Sequence, residues 1–391
     1  MSRMTAIDAT AGYTIGARMK PSQHFIDHLE GFLAKGLVLA LLLAVITNPV
    51  LGQGASKQSN LPQDFRVKKL ELPRADGLVV LDYVAYDDRH ARLWVPAGNL
   101  GVVAVIDGVT DKITTVGGFR TGEVELLGKK RVMGPSSVSI GDGVAYIGNR
   151  GDSNICVVNA ATLTLLGCSP IAESAAGLAA APDAVVYVAT TKELWVTTGA
   201  PPLGVPAGDQ SLLILDASDP RHLEAKRKLP LGASAEGYVV DEKRGLFYTS
   251  LEERSETVAI DVRRKEIVSR WRSGCDEPHG IALDKARRFL FVACADRVIA
   301  LDAAHEGKVL GSLPTGDGLD NIDYSASEKK VYAGASVVGT LTIASVDDLG
   351  GMIAVATIPT VKGARSVIAG RRSTAYLIDP AGGSILKVVP Q

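Results

Sequence analysis

Tyr146-Ile147-Gly148-Asn149 is an aromatic residue opening a short run of β-forming chain, and the pattern returns along the sequence. In order, the cores are Trp94-Val95-Pro96-Ala97, Tyr146-Ile147-Gly148-Asn149, Trp195-Val196-Thr197-Thr198, Phe247-Tyr248-Thr249-Ser250, Phe291-Val292-Ala293-Cys294, Tyr332-Ala333-Gly334-Ala335 and Tyr376-Leu377-Ile378-Asp379. Successive aromatics stand 52, 49, 52, 44, 41 and 44 residues apart. One four-stranded propeller blade needs about 40 to 50 residues. Seven cores therefore predict an all-β, seven-bladed β-propeller.

Each full repeat reads as four strands. In the fifth, Ile281-Ala282-Leu283 is innermost, Phe289 to Ala293 second, Val298 to Asp302 third and Lys308 to Leu313 outermost. Runs such as Val103 to Asp107 and Ser211 to Asp216 end on Asp, a residue that accepts hydrogen bonds from the amides of a following turn. These aspartates read as turn formers. Phe65-Arg66-Val67-Lys68-Lys69-Leu70-Glu71-Leu72 alternates as a half-buried strand does but precedes the first repeat. The last repeat ends early, after Ile385 to Val389. The N-terminal strand is therefore expected to complete the last blade and close the ring, removing an open sheet edge.

The repeats set the domain organisation: an N-terminal extension over 1–55, a polar linker over 56–64 and the propeller over 65–391. Lys35, the apolar run Gly36 to Thr47, the break at Asn48-Pro49 and small residues up to Ala55 form a secretory signal. Cleavage falls after Gly52 or Ala55, and Met19 as a start gives a conventional leading segment. The run is short for a membrane helix. An uncleaved signal is the alternative, and the one membrane attachment expected. The protein is accordingly expected in the periplasm or outside the cell. The composition, 46% hydrophobic and 22% charged with net charge −1, is that of a globular protein. Its Lys and Arg are scattered among Asp and Glu, so it lacks the basic stripe that a nucleic-acid backbone requires.

The unit "aromatic-Val-Thr-Asn, a few polar residues, apolar-Ser-apolar-Ile-Asp, Thr-x-Lys-Val" resembles the YVTN-repeat family of seven-bladed propellers. Leu93 to Ile113, Tyr146 to Val158 and Phe291 to Val309 fit it closely. The third, fourth and sixth repeats fit loosely, the third carrying an insertion from Gly199 to Gln210. The resemblance spans about residues 65 to 391 and implies a propeller, usually exported, without implying an activity. No Trp-Asp dipeptide, Cys-x-x-Cys-His haem site or tryptophan-repeat quinone signature occurs.

The residue at the start of each innermost strand faces the mouth of the central channel. Alignment on the aromatic cores puts Asp82, Ser136, Asp183, Glu236, His279, Asp320 and Arg365 at that position in blades one to seven. Pro135, Pro182 and Pro278 each stand one residue before their ring member, which supports the alignment. All seven are polar. Four carboxylates converging on an axis repel one another, raising their pKa values or demanding a cation. Three uses follow: simple solvation of the channel, a divalent cation on Asp183, Glu236, Asp320 and His279, or a small polar or cationic ligand. A protein partner on the propeller face is a further expectation. The leading function is a non-enzymatic binding or scaffold protein. The alternative is a metal-dependent hydrolase or lactonase with His279 or Glu236 as general base. No Gly-x-Ser-x-Gly, His-Glu-x-x-His or phosphate-binding loop accompanies the ring.

Cys275 and Cys294 lie in one hairpin and, in an oxidising compartment, are expected to form a disulfide. A soft-metal site with His279 is the alternative. Cys156 and Cys168 flank the turn at Ala160 to Thr162, where strict hairpin register places Cys168 nearer Ser153.

Overall fold

The computed structural model describes residues 64–126, 129–171, 181–198 and 210–391. The export segment, nearly all of the linker and the third-repeat insertion up to 209 lie outside the described residues. Those described form seven four-stranded antiparallel sheets and one two-stranded hairpin. From blade 1 to blade 7 the innermost strands are Ala85–Asp87, Pro135–Gly141, Pro182–Val188, Ala235–Asp241, Ile281–Asp284, Asp323–Ser325 and Arg365–Ala369. Each leads outward through three more strands.

The repeating aromatic sits on the second strand and is the reason the blades stack. All seven, Trp94, Tyr146, Trp195, Phe247, Phe291, Tyr332 and Tyr376, are at most 2% exposed. Several meet a ring of the neighbouring blade, as Tyr146 meets Tyr187 at 5.3 Å and Phe291 meets Tyr324 at 5.0 Å. Burying such a ring stabilises by about 2–3 kcal/mol before conformational entropy is counted. Seven apolar clusters result among the described residues, each shared by two adjacent blades. One joins blade 7 to blade 1, with Tyr376, Ile378 and Ile385 against Leu93, Val95 and Ile106. The core is thus a ring of interfaces, and its last member meets its first.

Blade 7 draws three strands from the C-terminus and its outermost from the N-terminus. Phe65–Glu71 pairs antiparallel with Ser384–Pro390, from Phe65 opposite Pro390 to Glu71 opposite Ser384. Leu70 and Leu72 are buried in the cluster between blades 7 and 1. The outermost strand of blade 4, Glu266–Arg272, alternates exposed and half-buried residues.

The Asp residues closing the third strands cap turns as expected. Asp107 Oδ1 accepts from the amides of Val109 and Thr110, and Asp216 Oδ1 from that of Ser218. Both cysteine pairs are disulfides, so Cys275 and Cys294 are bonded to each other and not left as metal ligands. The register expected for Cys168 requires correction. Cys156 faces Cys168 directly, because the turn closes from Asn159 to Thr164, wider than a tight hairpin, and the pairing then shifts by one residue between Val157 and Val158, passing over Leu166. The same shift between third and fourth strands recurs in blades 3, 4, 5 and 6. No helix among the described residues is long and apolar enough to cross a membrane.

Candidate binding site at the channel mouth

The innermost strands approach one another backbone to backbone. A Cβ on Gly237 would stand 2.6 Å from Gly280 Cα, and one on Gly280 2.5 Å from Asn321 Cα. Glycine is required at both positions. Gly237 also adopts a left-handed φ of 63°, within a bulge that pairs Glu236 with Ser250 and Tyr238 with Thr249. This contact makes Glu236, His279 and Asp320 equivalent residues of three successive blades, as the sequence alignment places them. The backbone N–H after a ring residue donates to the next blade's ring carbonyl, Tyr83 to Ser136 at 3.1 Å and Gly280 to Asp320 at 3.3 Å.

Side-chain direction separates the ring members. In blades 4 and 7 the bulge falls one residue after the ring position, on Gly237 and Ser366, and Glu236 and Arg365 are half-buried at the mouth. In blade 2 it falls on Ser136 itself, since Pro135 pairs with Asn149 and Ser137 with Gly148. Ser136 is fully buried, its Oγ 3.5 Å from the carbonyl oxygens of Gly148 and Pro182. Ser136 is therefore corrected from a mouth residue to a contact between blades 2 and 3.

The acids divide by partner. Arg150, which the ring alignment missed, forms an ion pair with buried Asp183 and reaches Asp82 at 3.7 Å. Its Nε also donates to the Pro182 carbonyl at 3.2 Å. Asp320 is paired with Arg365 at 3.0 Å. Glu236 has no hydrogen bond or ion pair among the described residues. Burial, reinforced by the charges of Asp320 and Asp82, pushes its carboxyl up to about 8. Burial likewise lifts Asp82 to about 6, against the pull of Arg150. The His279 amide donates to the Ala293 carbonyl at 2.8 Å, while its imidazole has no hydrogen bond or ion pair among the described residues. Among those residues no three of His, Cys, Asp or Glu are grouped so as to hold a metal ion.

Two tyrosines complete the mouth and were also missed. Tyr83, next to Asp82, stacks on Tyr238 of blade 4 with ring centroids 5.9 Å apart. Its hydroxyl oxygen accepts from the Gly237 amide at 3.5 Å. Burial and the charges of Glu236, Asp82 and Asp320 all raise its phenol well above the ordinary range. Arg150 directly follows the Tyr146-Ile147-Gly148-Asn149 core, and Tyr83 stands where the other blades carry Ser137, Ala184, Gly237, Gly280, Asn321 and Ser366. Both signals lay one residue beyond the positions aligned.

No family model and no curated protein sequence matches the chain, so the YVTN likeness rests on the repeat cores alone. Solved structures do match. The chain is similar to a component of the mitotic checkpoint complex, with a TM-score of 0.62 and 12% identity over 91% of this chain and 99% of that one. It is similar to a streptogramin B lyase, with a TM-score of 0.60 and 9% identity over 84% and 98%. A catalytically inactive virginiamycin B lyase from Staphylococcus aureus, solved with quinupristin, gives a TM-score of 0.61 and 10% identity over 84% and 100%. At such identities the likeness establishes the fold alone, and the chain is a seven-bladed β-propeller.

Proposed function

We propose that the protein is an exported binding protein whose channel mouth takes a small cationic ligand. The observation that carries this reading is the unpartnered Glu236. Asp82, Asp183 and Asp320 each stand within ion-pair distance of an arginine, whereas Glu236 forms no ion pair among the described residues, and the pull of Arg150 on it is weaker than the repulsion of Asp320 and Asp82. A ligand cation would relieve that repulsion and allow the carboxyl to ionise, so binding and proton release are coupled. The two disulfides fit an oxidising compartment and support export.

The experiment is a thermal-shift screen of inorganic and small organic cations against wild type, Glu236→Gln and Asp320→Asn. At a hundredfold excess over Kd a ligand stabilises by about 2.7 kcal/mol. At least one cation should raise the wild-type melting temperature, and Glu236→Gln should lose most of that rise. No shift with any cation, or an equal shift in Glu236→Gln, would remove the reading.

A second reading, a hydrolase or lactonase, draws support from the same residue. A carboxyl held near 8 carries its proton at neutral pH and can donate it to a leaving group. Stoichiometric metal in the purified mature protein, together with turnover of an ester or lactone that Glu236→Gln abolishes, would favour it over the binder.

A further inference from the structure

We propose that Tyr83 is the floor of the mouth, making the propeller a blind cup and the depth of that cup a property of one side chain. Seven blades are spaced by about 51° around the axis, so blades 1 and 4 stand nearly opposite. A side chain of blade 1 that stacks on an inner-strand ring of blade 4 must cross the axis. Tyr83 does so, meeting Tyr238 at 5.9 Å and the Gly237 amide at 3.5 Å.

Its support is fixed. The Tyr238 ring stacks on Phe247 at 6.3 Å, and its hydroxyl donates to the Val185 carbonyl of blade 3 at 3.3 Å. Tyr83 is 7% exposed although it lies where a propeller's channel runs. At the equivalent position Gly237 and Gly280 have no side chain, Ser137, Ala184 and Ser366 have short ones, and Asn321 has the next largest after Tyr83. Among these seven positions Tyr83 is the one aromatic residue, and it reaches across to blade 4. Only for the size of ligand does this inference rest on the binding reading: a cation on Glu236 is admitted from the mouth face, to the depth at which Tyr83 stops it.

The test is filling of the hole that Tyr83→Ala would leave. The hole would keep the Tyr238 ring on one side and the Gly237 amide at its end, and a small aromatic molecule with one hydroxyl matches its shape. Millimolar phenol should raise the melting temperature of Tyr83→Ala by about 3 °C or more while leaving wild type and Tyr83→Phe unchanged. Equal shifts in all three proteins, or none in Tyr83→Ala, would overturn the proposal. If Tyr83→Ala folds only when phenol is present, the floor is supported. If it folds under neither condition, wild type labelled with 3-fluorotyrosine decides. The resonance missing from Tyr83→Phe should be as protected from a soluble paramagnetic quencher as that of buried Tyr332, and quenching at the rate of a free tyrosine would refute the floor. Neither probe needs a bound cation, so a mouth that binds no cation leaves both results standing.

Discussion

Arg150 holds the acids of blades 1 and 3 in place from blade 2. It is itself largely buried and pairs with Asp183, which is 7% exposed. Removing one partner of such a pair strands the other charge, at a cost of about 3–5 kcal/mol. Arg150→Ala should accordingly lose about 3 kcal/mol in urea denaturation at pH 7, and adding Asp183→Asn should recover part of it. A loss within about 0.5 kcal/mol, usual for a surface substitution, would show that the pair is solvated. Glu236 acts in the opposite sense. Its folded pKa of about 8 lies above the ordinary glutamate value, so between those two values the native state binds the proton and the unfolded chain does not. The stabilisation from that proton is complete below the ordinary glutamate pKa and is lost as pH rises to about 8. Asp82 and half-buried Asp323, both near 6, add to the fall over the lower part of that range. Glu236→Gln should therefore be more stable than wild type at pH 9, on the order of a few kcal/mol, and nearly equal to it at pH 4. Parallel stability–pH curves for the two proteins would count against this assignment.

The N-terminal strand shows what one element contributes to a closed ring. Phe65–Glu71 occupies the whole outer edge of Ser384–Pro390, and Leu70 seals the cluster between blades 7 and 1. Lys68 and Lys387 both reach Asp111 of blade 1, at 2.6 Å and 2.5 Å. Deleting residues 64–73 would expose a paired edge and the apolar seam beneath it. Aggregation on purification, or a melting temperature lower by at least about 10 °C, is expected, and a truncated protein that melts like its parent would exclude the role. This strand was legible in the sequence, as were the strand order within a blade and the turn-forming role of Asp107 and Asp216. Alternation, aromatic spacing and turn chemistry are local signals, and each of those assignments needed nothing more. The bulges were not legible. One extra residue in an inner strand decides whether Glu236 faces the mouth or Ser136 turns into a blade interface, and no residue type marks which position bulges. Cys168 was misplaced partly for the same reason and partly because the turn from Asn159 to Thr164 is wider than a strict hairpin.

Across the whole molecule, the ring of interfaces fixes seven innermost strands at one radius and leaves function to what lines their ends. Four carboxyls, two guanidiniums and one imidazole share that mouth, with Tyr83 and Tyr238 beneath them. Spacing alone could not give their pairing, since Arg150 leaves the second strand of blade 2 to serve acids on blades 1 and 3. Among the described residues the ring acid left without an ion pair is Glu236, and on it the binding reading depends. The most direct measurement is a carbon-13 NMR titration of the glutamate carboxyls, with the Glu236 signal identified by its absence from Glu236→Gln. The account predicts a midpoint near 8 in the free protein, falling when the cation found by thermal shift is added. A midpoint in the ordinary carboxylate range, unmoved by any cation, would contradict it.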